Sequence, residues 1–156
     1  MTVSAWRIVK ARLAHQAFSG AGARKAGGRW NSPGTPVVYA ADSASLAMLE
    51  MLVHLQSQEL LRQYVLFELQ FDESLVKTVD LKTLPRTWRK SPPPPAVQQI
   101  GDLWVAGGES AVLKVPSVIV PDGGNYLINP AHADFPSIAI GPRQPTKFDP
   151  RLLKDR

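Results

Sequence analysis

Gly27-Gly28-Arg29-Trp30-Asn31, then Val37-Val38-Tyr39-Ala40-Ala41, then Ser43 through Gln56 with Glu50 at its middle, is the stretch on which the reading of this chain turns. The glycine pair lets the backbone approach something closely, and Ser32-Pro33-Gly34-Thr35-Pro36 has the proline and glycine placement of a turn. Val37 to Ala41 then reads as a short buried strand. Asp42 or Ser43 can cap a helix running to Gln56, in which Leu46, Met48, Leu49, Met51, Leu52, Val53 and Leu55 occupy nearly the whole circumference. Such a helix is expected to be buried. Glu50 shares a narrow stripe with His54, four residues on, and a carboxylate in an apolar setting needs a partner or a purpose. Two readings stay open at this level: a structural pair of Glu50 with an arginine or with His54, or a functional carboxylate.

Working outward, 156 residues with 44% hydrophobic content suit one globular domain over 1–156, with its core about 4–142. No apolar run approaches the roughly 18 residues of a membrane span, and the first residues lack the apolar stretch of a secretory signal, which points to the cytoplasm. Cysteine is absent, and His15, His54 and His132 lie far apart, so no metal site is expected. The formal charge is +5, and its distribution is uneven: Arg7, Lys10, Arg12, Arg24, Lys25 and Arg29 precede the first acid, Asp42. Such a segment either attracts an anion or forms a solvated basic face. Without interleaved stacking aromatics or a helix-turn-helix pattern, direct nucleic-acid binding ranks last.

Along the chain, Trp6 to Lys10 alternates as a strand, and residues 18 to 28, with four glycines, are expected to form an irregular loop that matches neither a Walker loop nor a dinucleotide fingerprint. Val65, Phe67, Leu69 and Phe71 line one face of a half-buried strand, and 76–80 supplies another. Pro92 to Pro95 form a stiff connector before a helix over 96–106 that ends at Gly107-Gly108. Ala111 to Val120 is the most strand-like run, with Pro116 implying an edge or bulge. If its register persists, Ser117 faces inward with Leu113, Val115 and Ile119. Short strands follow within 125–130 and 137–140, and the tail after Gly141 reads as an irregular surface finish. The sum is an α+β fold of several short strands with two or three helices.

Several of these pieces, in this order, resemble the RES domain, a family named for Arg, Glu and Ser positions. They are Trp6-Arg7, Phe18 to Ala23, Gly27 to Asn31, Val38 to Ala41, Leu46-Ala47 through Glu50 to His54, Gly101-Asp102 with Trp104, Val115-Pro116-Ser117, Asn125 to Pro130 and Phe148 to Arg151. The likeness runs over nearly the whole chain, which makes it more specific than any single piece. It implies an ADP-ribosyltransferase-like fold and the toxin of a bacterial type II toxin–antitoxin pair. It also implies a partner, an antitoxin with an Xre-type helix-turn-helix domain that reaches into the active site, and it is compatible with a homodimer inside that complex. NAD enters as substrate, with no other cofactor. On matching positions the resemblance implies catalytic roles for Arg29, Glu50 and Ser117, with Ser45 a competing candidate for the serine. Tyr39, Gly28, Trp30, Asn31 and His54 complete the expected substrate-binding set. One departure is Asp122-Gly123-Gly124, where an acidic or bulky residue is expected just before Asn125.

The residue chemistry agrees. Cleavage of a nicotinamide–ribose bond develops oxocarbenium character and calls for a carboxylate beside the ribose, for which Glu50 is the candidate. A pyrophosphate calls for a guanidinium and backbone N–H groups, which Arg29 and the preceding glycines are expected to provide. Tyr39 offers a stacking surface. The acceptor stays open among water, phosphate and a protein side chain. A non-catalytic nucleotide- or partner-binding module, with Arg29 and Glu50 as a structural pair, is the reading from another class.

Overall fold

The computed structural model describes residues 1–153. Eight strands form one sheet: β1 (Thr2–Lys10), β2 (Val38–Ala41), β3 (Tyr64–Asp72), β4 (Val76–Thr78), β5 (Val112–Pro116), β6 (Gly124–Ile128), β7 (Ala139–Ile140) and β8 (Gln144–Thr146). Their order is β4-β5-β6-β2-β1-β3-β7, with β8 also on β3. Only the β4–β5 pair is parallel. Three α-helices accompany it: α1 (Ala21–Ala26), α2 (Ala44–His54) and α3 (Pro95–Gly107). The architecture is α+β.

Strand alternation assigns the faces. Val65, Phe67, Leu69 and Phe71 are buried on one side of β3, where Leu69 and Phe71 join Ala5, Val38, Ala40, Tyr126 and Ile128 in one cluster. On the opposite face α3 brings Val97 and Trp104 onto Leu113, Val115 and Leu127, while α2 brings Leu46 and Ala47 onto Ile8 and Ala41. Strand β6 is buried at every position, as its place between β5 and β2 requires. At roughly 1.5–3 kcal/mol for each fully buried large aliphatic side chain, these two layers dominate the stability of the sheet.

Four sequence expectations need correction. Residues 18–28 are not wholly irregular: Ala21 to Ala26 closes α1 because its alanines, Arg24 and Lys25 favour a helix, with left-handed Gly20 (φ 75°) at its start and Gly27 (φ 74°) at its end. Helix α2 is not buried all round, since Leu49 and Val53 are 37% and 59% exposed; the sheet covers only its Leu46–Ala47 side. Strand β5 stops at Pro116, which has no N–H to donate, and the chain folds back so that Ser117 N bonds Gly123 O at 2.9 Å. The tail after Gly141 is not merely a surface finish: β8 pairs with β3, and Phe148 is buried edge-on against Tyr64 at 5.1 Å. The last three residues of that tail lie outside the described part.

Candidate active site

The two central antiparallel strands β1 and β2 share only one register pair, Trp6↔Ala41, so they splay. Beside the splay lies a cavity of about 420 Å³, lined among others by Arg7, Gly28, Arg29, Trp30, Tyr39, Glu50, His54 and Asn125. Its walls come from β1, β2, β6, α2 and the segment after α1.

The glycine-led segment is locked from within. Tyr39 donates its hydroxyl to Asn31 Oδ1 at 2.5 Å and accepts from Trp30 N at 3.1 Å. Asn31, fully buried, turns its amide to the carbonyls of Ala23 and Thr35. A Cβ at Gly28 would lie 2.7 Å from the Tyr39 hydroxyl, so the close approach anticipated for the glycine is to Tyr39 and Asn31. Helix α3 abuts the same segment: a Cβ at Gly101 would lie 1.8 Å from Trp30 O, and Gln98 Nε2 donates to Gly28 O. The amides of Gly27, Gly28 and Trp30 bond Ala23 O, Asn31 O and Tyr39 Oη, so those three are not free to cradle a phosphate. Burial pushes the Tyr39 phenol up from its usual range, and its oxygen is engaged by Trp30 and Asn31.

Arg29 reaches across to the turn before the proline run. Its Nη1 donates to Trp88 O at 2.8 Å and Lys90 O at 2.7 Å, and its Nη2 to Ser91 Oγ at 2.8 Å. Burial lowers its pKa, opposed by the fields of Tyr39 and Glu50. A second guanidinium escaped the sequence reading of the site. Arg7 donates from Nε to Ala17 O at 2.7 Å and from Nη1 to Tyr39 O at 2.8 Å, a carbonyl left without a strand partner by the splay. Burial pulls its pKa to about 10, still charged at neutral pH. Among the described residues neither arginine has a carboxylate within ion-pair distance. A cluster of cations ahead of the first acid was the available signal for Arg7.

Glu50 stands in the opposite wall, on the flank of α2. The Glu50–Arg and Glu50–His54 structural pairs do not form; no cation lies within ion-pair distance of its carboxylate among the described residues. Burial raises its pKa, and hydrogen bonding from Asn125, then from Ser117, and then the field of His54 oppose the rise. Ser117, buried, holds its loop together by accepting from Ile119 N and Val120 N at 3.1 Å each, and its hydroxyl lies 3.4 Å from Glu50 Oε1. Asp42 Oδ2 accepts from Gly124 N at 2.8 Å and so ties the start of α2 to the same loop, where left-handed Asp122 (φ 62°) makes the bend. Asn125 is the other residue missed; its signal was an amide among the apolar residues of the central strand.

The structure therefore brings Arg29, Glu50, Tyr39, Gly28, Trp30 and His54 to one cavity, with Ser117 behind Glu50. Asn31 supports that cavity from within the core without lining it. Ser45 is exposed on the first turn of α2 and lines no part of it, so Ser117 is the serine that the fold couples to Glu50.

The model of the RES domain family matches residues 4–149. The chain belongs to the RES domain family. Within it, Toxin Res of Yersinia enterocolitica is 39% identical over 149 residues, covering 94% of this chain and 97% of the relative. The Prs ADP-ribosylating toxin of a Sphingobium strain is 39% identical over 159 residues, 99% of each chain. Among solved structures, the M. tuberculosis MbcT–MbcA toxin–antitoxin complex contains a chain that matches with a TM-score of 0.77 at 20% identity, over 98% of this chain and 87% of that one. At that identity the likeness shows the fold alone. No helix among the described residues is long and apolar enough to cross a membrane.

Proposed function

We propose that this RES-domain chain is the toxin of a toxin–antitoxin pair and that its cavity cleaves the nicotinamide–ribose bond of NAD. The observation that carries the chemistry is a half-buried carboxylate, Glu50, with no ion-pair partner among the described residues, in a cavity that also holds two guanidinium groups without carboxylate partners among them. As the bond breaks, nicotinamide leaves with the electron pair and the anomeric carbon becomes cationic; Glu50 stabilises that cation electrostatically. Arg7 and Arg29 are suited to the pyrophosphate, since guanidinium groups held by neutral carbonyls keep their charge for an outside anion. The Tyr39 ring offers a stacking surface for the nicotinamide. Ser117 and Asn125 orient Glu50 and oppose the rise in its pKa that burial causes.

The toxin assignment draws on the relatives named Toxin Res, which match along nearly their whole length. A neutralising antitoxin follows from the same assignment, with the Xre-type partner implied by the family resemblance and the cytoplasm as the place where both act. Incubating the purified chain with NAD should release free nicotinamide. No release above that of Glu50→Gln would remove the enzymatic reading and leave a nucleotide-binding module. Growth arrest on expression, relieved by Arg29→Ala, is the matching result in cells.

Transfer to a protein is a second reading, favoured by the Sphingobium relative named for ADP-ribosylation. Labelled NAD separates the acceptors: label fixed on protein marks transfer, ADP-ribose marks hydrolysis, and a phosphorylated ADP-ribose formed only with added phosphate marks phosphorolysis.

A further inference from the structure

Charge along this chain is segregated twice, and the two segregated runs meet. Residues 1–41 hold six cations and no acid; residues 81–101, between Asp80 and Asp102, hold Lys82, Arg86, Arg89 and Lys90 and no acid. The fold joins the two runs at one edge of the cavity. Arg29 of the first run bonds Trp88 O, Lys90 O and Ser91 Oγ of the second, Trp30 packs on Trp88 with ring centroids 6.0 Å apart, and Ala23 of α1 joins the same apolar cluster. Gly22 and Ala23 on one side and Ser91 on the other line the cavity itself.

The cations flanking these contacts are Arg24 and Lys25 on α1 and Arg86, Arg89 and Lys90 on the turn. All five are exposed, and none has a carboxylate within ion-pair distance among the described residues. Asp102, the acid that closes the second run, is turned to Ser32, whose N–H and hydroxyl both donate to it. Elsewhere, three cations are paired with carboxylates: Lys10 with Glu59, whose carboxylate also feels Arg62, Lys77 with Glu109 and Arg151 with Asp149. An uncompensated cationic rim around a cavity mouth raises the local concentration of anionic groups and orients them toward the opening.

We infer that this rim, formed by α1 and the 86–90 turn, is a docking surface for an acidic segment of a protein partner. A polypeptide fits better than a nucleic acid, because single-stranded nucleic acid binding relies on open aromatic faces. Trp30 is buried, and Trp88 is covered by Trp30 on one contact and by the Arg89 guanidinium 5.0 Å from its ring centroid. A second copy of the chain is a poor occupant, since like charges would meet at a sequence pI near 9.7. The proline run starting at Pro92 stiffens the turn and so presents its cations with little ordering cost.

The test uses the intact chain and a fluorescein-labelled short polyglutamate peptide, followed by anisotropy, and involves no NAD turnover. Binding should weaken steeply as ionic strength rises from about 0.02 M to about 0.2 M. Arg24→Glu with Lys25→Glu, and separately Arg86→Glu with Arg89→Glu, should each weaken it at least about tenfold, as reversal of charges in contact does. The corresponding glutamine variants, which add no repulsion, should show a smaller loss in the same direction. Arg12→Glu with Arg62→Glu makes the same change in net charge beside the Lys10–Glu59 pair and should leave binding within about twofold. Equal weakening by that control pair, or no binding by the wild type, overturns the assignment. So does tighter binding of a uridine oligonucleotide or of phosphatidylserine vesicles that the rim variants also abolish.

Discussion

The two walls of the cavity handle charge in opposite ways. On the wall from β1 and the segment after α1, braced by the 86–91 turn, two guanidinium groups are held by backbone carbonyls and a serine hydroxyl. On the wall from α2 and β6, the carboxylate of Glu50 lies 3.4 Å from the Ser117 hydroxyl, and the neutral amide of Asn125 lowers its pKa. Each wall positions its ions with neutral partners, and the walls do not neutralise each other. Had Glu50 paired with either arginine, the pair would have been a structural element of the core and the cavity would have presented little field. Kept apart, both signs remain available to a ligand that is anionic at one end and becomes cationic at the other.

The largest test of this separation removes the negative wall. Glu50→Gln should lower nicotinamide release on the order of a thousandfold, about 4 kcal/mol of transition-state stabilisation, in a single-turnover assay. The same variant should be more stable than wild type at neutral pH. The folded-state pKa of Glu50 is raised above the unfolded one, so the protonated form is the one the fold prefers. The stability linked to this group is therefore complete below the unfolded pKa and lost as pH rises through the folded value. Melting temperatures measured across pH should show the Gln variant's advantage at neutral pH vanish toward acid. An advantage that persisted in acid would mean that Glu50 is not strained by burial.

On the positive wall, Arg7→Lys keeps the charge but cannot reach Ala17 O and Tyr39 O together in the guanidinium's planar geometry. The KM for NAD should rise roughly tenfold or more with a smaller change in kcat, which steady-state kinetics would separate. An unchanged KM would leave Arg29 as the sole anion contact.

Smaller effects test the frame. Asn31→Ala takes away the acceptor of the Tyr39 hydroxyl and the bonds to Ala23 O and Thr35 O, and should cost about 1–3 kcal/mol in denaturant unfolding. Ser117→Ala frees the amides of Ile119 and Val120 and should cost about 1 kcal/mol, whereas exposed Ser45→Ala should stay within about 0.5 kcal/mol. Equal effects for the two serines would undo the assignment of Ser117.

The comparison also separates what could be read in advance. The α+β class, the strands that became β3 and β6 and the helices that became α2 and α3 were legible to within a residue or two at most ends because alternation of period two and spacing of period 3.6 are local properties. Glu50 was legible because a carboxylate in an apolar helix is costly wherever that helix goes. Arg29 drew notice from its glycines, yet the glycines proved to serve Tyr39 and Asn31, and the N–H groups assigned to a ligand were already bonded. Exposure of Leu49 and Val53 could not be read, since a helix's apolar circumference does not say how many neighbours reach it.

By itself, then, the sequence determined the elements, the family through its ordered motifs, and the residue types available for chemistry, all of which depend on neighbours along the chain. Only the tertiary structure decided that Glu50 pairs with no cation among the described residues, that Ser117 rather than Ser45 stands behind it, and that Arg7 enters the cavity where β1 and β2 splay. Those outcomes depend on which groups meet across 67 residues between Glu50 and Ser117, or 32 between Arg7 and Tyr39. Hydrogen bonds and ion pairs form only at contact distances of roughly 3–4 Å, so partners that distant in sequence exist only once the sheet has formed.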